Sequence, residues 1–235
     1  QLDTFRTYNW YPIYVFDGTP SGTKSATLEK RRSQKKKDHE NLETAQQEFQ
    51  QLQKNGGASI GELSHASNRV ERYSKRVRGI PTGAHYGALW KYLQSQNIPC
   101  EKAPHDAEKH CAHLVSTGTA DAVLTEDFDV IPYLCGLAQG RGMMLTGYGA
   151  QLMTMYDVPV ILEDLGLSHA QMIDLCILSG CDHCSKLYGI ACFKAYKLVQ
   201  DNTCIENIIE IVDPSKVPEN FAYEEARAEF TSVEQ

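Results

Sequence analysis

The chain has 235 residues, of which 42% are hydrophobic and 23% charged, and its formal net charge is −7. This composition fits a globular protein of one large or two small domains, and it excludes an intrinsically disordered chain, which has fewer apolar residues. No run of about 20 apolar residues and no signal peptide is visible, so we expect an intracellular protein without a membrane partner. The chain begins with Gln1 rather than Met, and we interpret it as a fragment or a processed form.

For the first hundred residues we predict two strands and three helices. In chain order they are a buried strand at 12–16, polar helices at 26–54 and about 61–77, a more apolar helix at 84–96, and a short strand near 98–100. The strand at 12–16 ends at the turn dipeptide Asp17-Gly18. The polar helices contain few apolar residues and so have little surface to pack on a core.

The second part of the chain alternates between helices and strands. In chain order we predict a helix at 106–116, a buried strand at 121–125, and helices at 160–165, 168–180 and 191–200, with Ser168 as an N-cap. Residues 136–156 are rich in Gly and Met and receive no assignment. The alternation predicts an α/β fold with a twisted parallel sheet flanked by helices.

Charge is unevenly distributed. Residues 24–78 contain 13 Lys and Arg and 7 Asp and Glu, a net charge of +6, so the other residues carry −13. A basic segment is a typical binding surface for phosphates, and clustered acids are typical of sites for hard cations. Together they suggest metal-dependent chemistry on nucleic acid, whereas the plainer alternative is a solvated helical arm beside an acidic body.

Six carboxylates fall at the ends of predicted elements. They are Asp17, Asp106, Glu108, Asp127, Asp129 and Asp182. Acids that follow strands lie where ligands bind in open α/β sheets, and two-metal hydrolysis of a phosphodiester requires several carboxylates around two cations. Asp127 and Asp129 are predicted to continue a strand, where a period of two would place both on one side. Each acid also has an ordinary alternative as a turn or helix-terminal residue, so position alone does not identify a nuclease.

The eight cysteines are interpreted as free thiols of a reduced intracellular protein. Cys181-Asp-His-Cys184 is a CxxC motif, but a structural zinc site requires a second pair at regular spacing, which the other cysteines do not supply. Redox use is disfavoured as well, because the motif does not open a helix after a strand.

Several stretches together resemble the flap endonuclease family of structure-specific 5′ nucleases. They are Tyr14-Val-Phe-Asp-Gly18, Ala103-Pro-His-Asp-Ala-Glu108, Thr125-Glu-Asp-Phe-Asp129, Leu175-Cys-Ile-Leu-Ser-Gly-Cys-Asp182 with Gly189-Ile190, and Val217-Pro-Glu-Asn220 with Glu225-Ala226. Their order and spacing match over nearly the whole chain. The resemblance implies a PIN-like α/β nuclease core at 1–165 with an inserted helical arch at about 22–80, and a helical DNA-binding region at 166–235 with a helix–two-turn–helix at about 168–200.

The resemblance also implies an activity, its cofactors and its site residues. The family cleaves 5′ flaps of DNA, sometimes containing RNA, near single-strand/double-strand junctions in replication and repair, with two Mg²⁺ for which Mn²⁺ substitutes. The six carboxylates match its metal ligands, although Asp106 stands where the family usually has Glu. Lys24 and Arg31 match the basic pair that faces the scissile phosphate. The implied DNA contacts are Arg32, Lys35, Gly189, Ile190 and Lys194, and the family binds K⁺ at the helix–two-turn–helix.

The chain departs from the family pattern at two places. The family has Gly-Ile-Gly where this chain has Gly189-Ile190-Ala191, and Ala weakens duplex binding there if the position needs a positive φ or a close approach of the phosphate. A further metal-binding Asp and a mobile tail precede Gln1 in the family, and a clamp-binding tail follows the core. We therefore expect this chain to be weakly active or inactive, and a sliding clamp to bind only a full-length parent.

Two alternatives stay open. Within the superfamily, a 5′→3′ exonuclease or a Holliday-junction resolvase is the closest competitor: Ser179-Gly-Cys-Asp182 suits the exonuclease branch, whereas the long arm before Ile80 and Val217 to Asn220 favour the flap branch. Outside it, the chain is a non-catalytic protein that binds branched DNA. In a eukaryote we expect a nuclear location.

Overall fold

The computed structural model describes residues 2–19, 25–54, 56–77, 81–138, 142–148 and 153–232. The α-helices of these residues are α1 (Leu2–Thr7), α2 (Ser25–Lys54), α3 (Ile60–Val77), α4 (Gly83–Ser95), α5 (Ala107–Ser116), α6 (Val130–Leu137), α7 (Val158–Leu165), α8 (His169–Ser179), α9 (Cys192–Asn202), α10 (Ile205–Ile211) and α11 (Tyr223–Thr231). The strands are β1 (Tyr14–Phe16), β2 (Cys100–Lys102), β3 (Val123–Leu124), β4 (Met143–Thr146) and β5 (Thr154–Asp157). Within the described ranges, every helix is too short or too polar to cross a membrane.

The chain divides into two compact units. The arm unit comprises residues 26–97, and the core unit comprises residues 1–25 together with 98–235. The three helices predicted for the arm unit are confirmed as α2, α3 and α4, each within two residues at either end. The domain boundary predicted at 165/166 stays a prediction.

Helices α2 and α3 of the arm unit are polar because they bury little. Their buried side chains include Ala45 and Ala66. Exposed ion pairs connect the two helices: Arg69 bonds to Glu48, and Arg76 Nη1 lies 3.5 Å from an oxygen of Asp38. Surface pairs of this kind are worth at most about 1 kcal/mol each, so they add little to the stability of the arm unit.

The described strands of the core unit form two small sheets. In the first, β1 is parallel to β2; in the second, β3 is parallel to β4, and β5 is antiparallel to β4. The predicted α/β class with parallel strands is confirmed. Strand β5 lies in the segment that the sequence left unassigned, and it runs antiparallel because residues 147–153 are too few for the crossover that a parallel neighbour requires.

A cavity of about 960 Å³ lies between the two sheets and is lined by residues of β1, β3 and β4. At its rim, the buried Phe5 ring of α1 lies 6.1 Å from the ring of Trp10 and 5.3 Å from the ring of Tyr148. Helix α5 packs against both β1 and β3. It is therefore the element that connects the two sheets, and residues at its first turn lie close to the ends of strands from both.

The main hydrophobic core is built by helices α5 to α11 together with strands β3 and β4. Helix α8 begins as predicted: Ser168 Oγ accepts a hydrogen bond from Gln171 N at 3.2 Å, and Gln171 Oε1 accepts one from Ser168 N at 2.9 Å. Such a capping box satisfies two backbone donors of the first turn. The helix then buries Ile177 and Leu178 completely.

The C-terminal helix α11 is locked to α8 and α10 by one arginine. The Arg227 guanidinium donates two hydrogen bonds of 2.9 Å to the carboxylate of Asp174 on α8, and it also bonds to Glu206 on α10. Only 4% of the Asp174 side chain is exposed. A planar guanidinium that meets a buried carboxylate at two points fixes both distance and orientation.

We expect Gly136→Ala to lower the free energy of unfolding by about 1–3 kcal/mol, the usual range for overpacking. Gly136 lies in α6, and a Cβ there would sit 2.1 Å from the backbone oxygen of Phe230 in α11. Gly87→Ala is the matched control, because Gly87 also lies inside a helix but a Cβ there meets open space. Loss of a flexible glycine in a helix stabilises by about 0.5–1 kcal/mol. Urea unfolding of both variants measures the difference, and equal shifts would contradict this packing.

Candidate functional site

Three of the predicted metal ligands meet at the first turn of α5. Asp17 follows β1, and its Oδ1 accepts a hydrogen bond of 3.1 Å from Ala107 N. Ala107 stands between Asp106 and Glu108, so all three carboxylates belong to one short stretch of structure. A carboxylate is stabilised at a helix N-terminus by the unpaired backbone N–H groups there. Asp17 therefore accepts a backbone hydrogen bond at this N-terminus, where Asp106 is the N-cap residue.

A glycine makes this meeting possible. Gly18 N donates a hydrogen bond of 2.7 Å to His105 O. A Cβ at Gly18 would lie 2.0 Å from the backbone oxygen of Ala103, so the two backbones approach too closely for any side chain. In the Asp17-Gly18 dipeptide, Asp17 is the predicted metal ligand, and Gly18 allows its backbone to lie against the backbone before α5.

Asp106 is one of the few buried acids of the core unit, with 7% of its surface exposed. Its side chain makes no capping bond to α5. Its Oδ2 lies 3.4 Å from the hydroxyl of Tyr133, a fully buried residue of α6. Burial, followed by the negative charge of Asp106, raises the pKa of Tyr133, so its hydroxyl stays protonated.

Tyr133 also connects Asp106 to the loop that carries Asp182. Its hydroxyl lies 2.9 Å from Nε2 of His183, which is buried. If the phenolic hydrogen points at the Asp106 carboxylate, the His183 ring nitrogen donates to the phenol, and both bonds are satisfied. The ring of Phe230 in α11 packs edge-on against both Tyr133 and His183, which seals the network from solvent.

Asp127 and Asp129 lie in a turn, not on a strand. Strand β3 ends at Leu124, and Asp127 Oδ1 accepts a hydrogen bond of 3.0 Å from Asp129 N. The prediction that these two acids continue the strand was therefore wrong, because an aspartate that bonds to the backbone two residues on folds the chain into a local turn. Asp129 takes the N-cap position of α6. Burial is the main cause that raises the pKa of Cys176 on α8, and the charge of Asp129 adds to it.

Asp182 lies in the loop that follows α8. The helix ends at Ser179, and Gly180 turns the chain with a φ of +115°. Cys181 and Cys184 flank Asp182 and His183, and their Sγ atoms lie 3.7 Å apart. The hydrogen bond from the Cys184 thiol lowers the pKa of Cys181.

The structure thus places Asp17, Asp106 and Glu108 at the start of α5, and Tyr133 connects Asp106 to the loop that carries Asp182. Carboxylate oxygens are the ligands that Mg²⁺ prefers, and Mg²⁺ keeps several of its waters, so the donor chemistry fits that ion. Among the residues that the structure describes, no three His, Cys, Asp or Glu side chains form a group that could hold a metal ion. The assignment of the six as metal ligands stays a prediction.

The helix–two-turn–helix predicted at about 168–200 corresponds to α8, a connecting loop and α9. In the loop, Gly189 has a φ of +66° and Ile190 is buried. Ala191 has an extended backbone with a φ of −103°, so a side chain there causes no backbone strain. The expected handicap of Ala191 from a positive φ therefore does not arise. Lys194 is exposed on α9.

The basic residues predicted on the arch lie on α2. Arg31, Arg32 and Lys35 are exposed, and Arg31 and Lys35 are four residues apart, which places them on one helix face. Lys24 lies outside the described residues. The structure leaves the proposed roles of these side chains as predictions.

No sequence pattern indicated the buried network behind the carboxylates. Tyr133 lies in an apolar run, and His183 was considered only as part of a CxxC motif. Lys109 was overlooked as well: it is 4% exposed, and its Nζ lies 2.9 Å from Glu229 Oε1 of α11. A charged residue on the buried face of an amphipathic helix implies a buried partner, which is the one pattern that could have indicated Lys109.

Comparison with known proteins matches this site to one group of nucleases. The XPG I-region family matches residues 97–182, a range that includes five of the six carboxylates. Flap endonuclease 1 from Osmerus mordax is 36% identical over 226 residues, which cover 93% of this chain and 53% of that protein. Flap endonuclease 1 from Entamoeba dispar is 34% identical over 225 residues, which cover 93% and 54%. The chain spans about half the length of the curated relatives it matches.

Solved structures share the fold. The catalytic core of Rad2 in complex with a DNA substrate aligns with a TM-score of 0.62 and 20% identity, over 89% of this chain and 53% of that one. Flap endonuclease-1 from Methanococcus jannaschii aligns with a TM-score of 0.60 and 23% identity, over 94% and 62%. Human GEN1 in complex with Holliday junction DNA aligns with a TM-score of 0.57 and 19% identity, over 97% and 51%.

Proposed function

The chain belongs to the flap endonuclease family, and from this premise we propose that the protein is a structure-specific 5′ flap endonuclease that hydrolyses phosphodiester bonds near single-strand/double-strand junctions. The observation that carries the proposal is the convergence of Asp17, Asp106 and Glu108 at the first turn of α5, with a buried link through Tyr133 to the loop of Asp182. These contacts tie three segments that are distant in the sequence: the end of β1, the start of α5 and the loop after α8.

We propose branched or flapped DNA as the substrate, including flaps that contain RNA. Two structural relatives support this: the Rad2 catalytic core binds a DNA substrate, and human GEN1 binds Holliday junction DNA. The basic arm unit suits the path of a phosphate backbone, because exposed Lys and Arg attract phosphates without reading sequence. Three further points stay predictions: a longer parent chain binds a sliding clamp, K⁺ binds near Gly189 and Ile190, and the protein is located in the nucleus.

We propose that the six carboxylates hold two Mg²⁺, for which Mn²⁺ substitutes. When bound, such ions make a water nucleophilic at neutral pH and offset charge on the phosphate. The protein's own part is positioning. Asp17 is fixed by the α5 N-terminus, and Asp106 is held by Tyr133. Arg31, together with Lys24, would face the scissile phosphate and offset the negative charge that builds there during hydrolysis.

We expect the double replacement Arg32→Gln and Lys35→Gln to weaken binding to flapped DNA to a similar degree for all sequences. Each phosphate contact that is lost lowers the slope of log affinity against log salt by about 1. Lys75→Gln is the matched control, because Lys75 Nζ is paired with Glu71 at 2.7 Å on α3. Fluorescence anisotropy at several salt concentrations measures the slopes. An unchanged slope in the double variant would remove these two residues from the interface.

Product analysis distinguishes the alternatives. The longest chain that the gene encodes is incubated with 5′-labelled single-flap, 3′-flap, nicked-duplex and four-way-junction DNA. Release of the 5′ flap as one short fragment supports the proposal. Release of mononucleotides instead indicates a 5′→3′ exonuclease, and symmetric nicking of the four-way junction indicates a resolvase. Salt-dependent binding to every branched substrate without any product indicates a non-catalytic binding protein.

A further inference from the structure

Two thiols lie in contact beside Asp182 and have no role in the proposed hydrolysis. The Sγ atoms of Cys181 and Cys184 are 3.7 Å apart. Both cysteines are free and partly exposed, so solvent-borne reagents reach them. A disulfide has an S–S bond of about 2.05 Å, so the pair closes by rotation of the two side chains without a large backbone movement.

The surrounding loop holds the two thiols against each other. On one side, Gly180 takes a φ of +115°, which reverses the chain directly after α8. Between the thiols, His183 is buried and bonded to Tyr133. On the far side, Leu187 and Ile190 are buried. A loop anchored at three points keeps its flanking thiols opposed, which lowers the entropy that must be lost when they join.

We propose that Cys181 and Cys184 form an oxidation site, in which a low-molecular-weight disulfide oxidises the pair to a reversible intrachain disulfide that encloses Asp182 and lowers the rate of cleavage. One thiol attacks the reagent disulfide, RSSR, and releases RSH. The second thiol then attacks the mixed disulfide and releases the second RSH. The protein loses two protons and two electrons, and the reagent is reduced to two thiols.

The sequence disfavoured redox use of this motif, and the structure changes that interpretation only in part. The motif still does not open a helix after a strand, so nothing indicates a disulfide-exchange enzyme. The thiol contact indicates a site that is itself modified. Cys135 and Cys192 differ from the pair, since Cys135 is fully buried and Cys192 is exposed on α9.

The disulfide would lower activity by changing the position of Asp182. Asp182 and His183 are the two residues inside the ring that the disulfide closes, and His183 bonds to the same hydroxyl as Asp106. Residues that only orient a metal ligand commonly contribute roughly 10–100-fold to activity, so we expect oxidation to lower cleavage by roughly that factor. This part of the inference rests on the proposed function, whereas formation of the disulfide does not.

The test treats the full chain with oxidised glutathione, blocks the remaining thiols by alkylation, and locates the disulfide by peptide mass spectrometry. We expect Cys181 and Cys184 to escape alkylation after oxidation and to regain it after dithiothreitol. Cleavage of single-flap DNA is measured on the same samples. We expect the cleavage rate of the oxidised sample, divided by that of the reduced sample, to be well below one in the unaltered protein and in Cys192→Ser. The same ratio should stay near one in Cys184→Ser.

The outcomes separate the two proposals. Continued alkylation of both cysteines after oxidation overturns the oxidation site, whatever the nuclease assay shows. A disulfide at full occupancy with an unchanged cleavage rate overturns its effect on Asp182. Absence of cleavage in the reduced protein instead overturns the proposed function, while mass spectrometry still decides the disulfide. One equivalent of zinc in the reduced protein by elemental analysis, with protection of the thiols from oxidation, would identify the pair as a metal site and contradict the proposal.

Discussion

Replacement of Asp127 or Asp182 by Asn is expected to lower the rate of flap cleavage by more than about a hundredfold, since even residues that only orient a metal ligand contribute roughly 10–100-fold. Asn keeps the size of the side chain, and at position 127 it keeps the oxygen that accepts the 3.0 Å bond from Asp129 N. The change therefore removes negative charge and leaves the turn intact. Single-turnover cleavage in the longest chain that the gene encodes measures the effect.

Asp164→Asn is the matched control for this experiment. Asp164 is an exposed acid on α7 and is not among the six predicted metal ligands, so the variant makes the same chemical change at an unrelated position. Its cleavage rate should equal that of the unaltered protein. Thermal unfolding should give similar midpoints for all three variants. Full activity of the Asp127 and Asp182 variants would show that these acids have ordinary structural roles.

The largest expected effect on stability comes from Arg227→Met, which should lower the free energy of unfolding by about 3–5 kcal/mol at pH 7. Met preserves much of the apolar volume but leaves the Asp174 carboxylate, 4% exposed, without the two bonds from Arg227 and with only the 3.1 Å bond from Ile205 N. The loss of one partner from a buried pair leaves an uncompensated charge in a medium of low dielectric constant. Urea unfolding followed by circular dichroism measures the difference.

The pH dependence of this difference has a definite sign. Hydrogen bonds from Arg227 lower the pKa of Glu206 from 4.5 to about 2. A lowered pKa stabilises the folded state above the ordinary value, and this contribution is lost as the pH falls toward 2. Without Arg227, burial raises the pKa of Asp174 further, so its protonation at mildly acidic pH relieves the penalty in the variant. Both effects make the gap between the two proteins largest near neutral pH and smaller as the pH falls.

A double variant isolates the cause. Asp174→Asn combined with Arg227→Met removes both charges, so it should be more stable than Arg227→Met alone, because the buried charge is gone. A loss below about 1 kcal/mol in the single variant, which is typical of exposed pairs, would contradict the structural role of this contact. A double variant no more stable than the single one would contradict the explanation by an unpaired carboxylate.

Local sequence patterns predicted the elements that local interactions determine. Ser168 followed by Gln171 predicts the start of α8, and the apolar run before Asp17-Gly18 predicts β1, because caps and short strands depend on neighbouring residues. The prediction that Asp127 and Asp129 continue a strand was wrong because another local interaction decides their conformation. Asp127 bonds to the backbone two residues on, and this local turn overrides the period-two pattern.

The buried hydrogen-bond network beside Asp106 could not be predicted from sequence patterns, because its members are far apart in the chain. Tyr133 is 27 residues from Asp106 and 50 residues from His183, yet its hydroxyl contacts both. Periodicity identifies Tyr133 as a core residue but says nothing about which polar groups share that core. The six acids were predicted as metal ligands from their positions at element ends and from the family resemblance, and that assignment stays a prediction. The structure adds the buried residues that connect Asp106 to the Asp182 loop.

The central claim is that the protein cleaves 5′ flaps with a divalent metal, and one measurement tests it most directly. The longest chain that the gene encodes is mixed with 5′-labelled single-flap DNA in Mg²⁺, and in parallel after removal of divalent ions with a chelator. We predict a short labelled flap in Mg²⁺, no product with the chelator, and recovery when Mg²⁺ is restored in excess. Cleavage that is indifferent to the chelator, or tight binding with no product in either condition, would contradict the account.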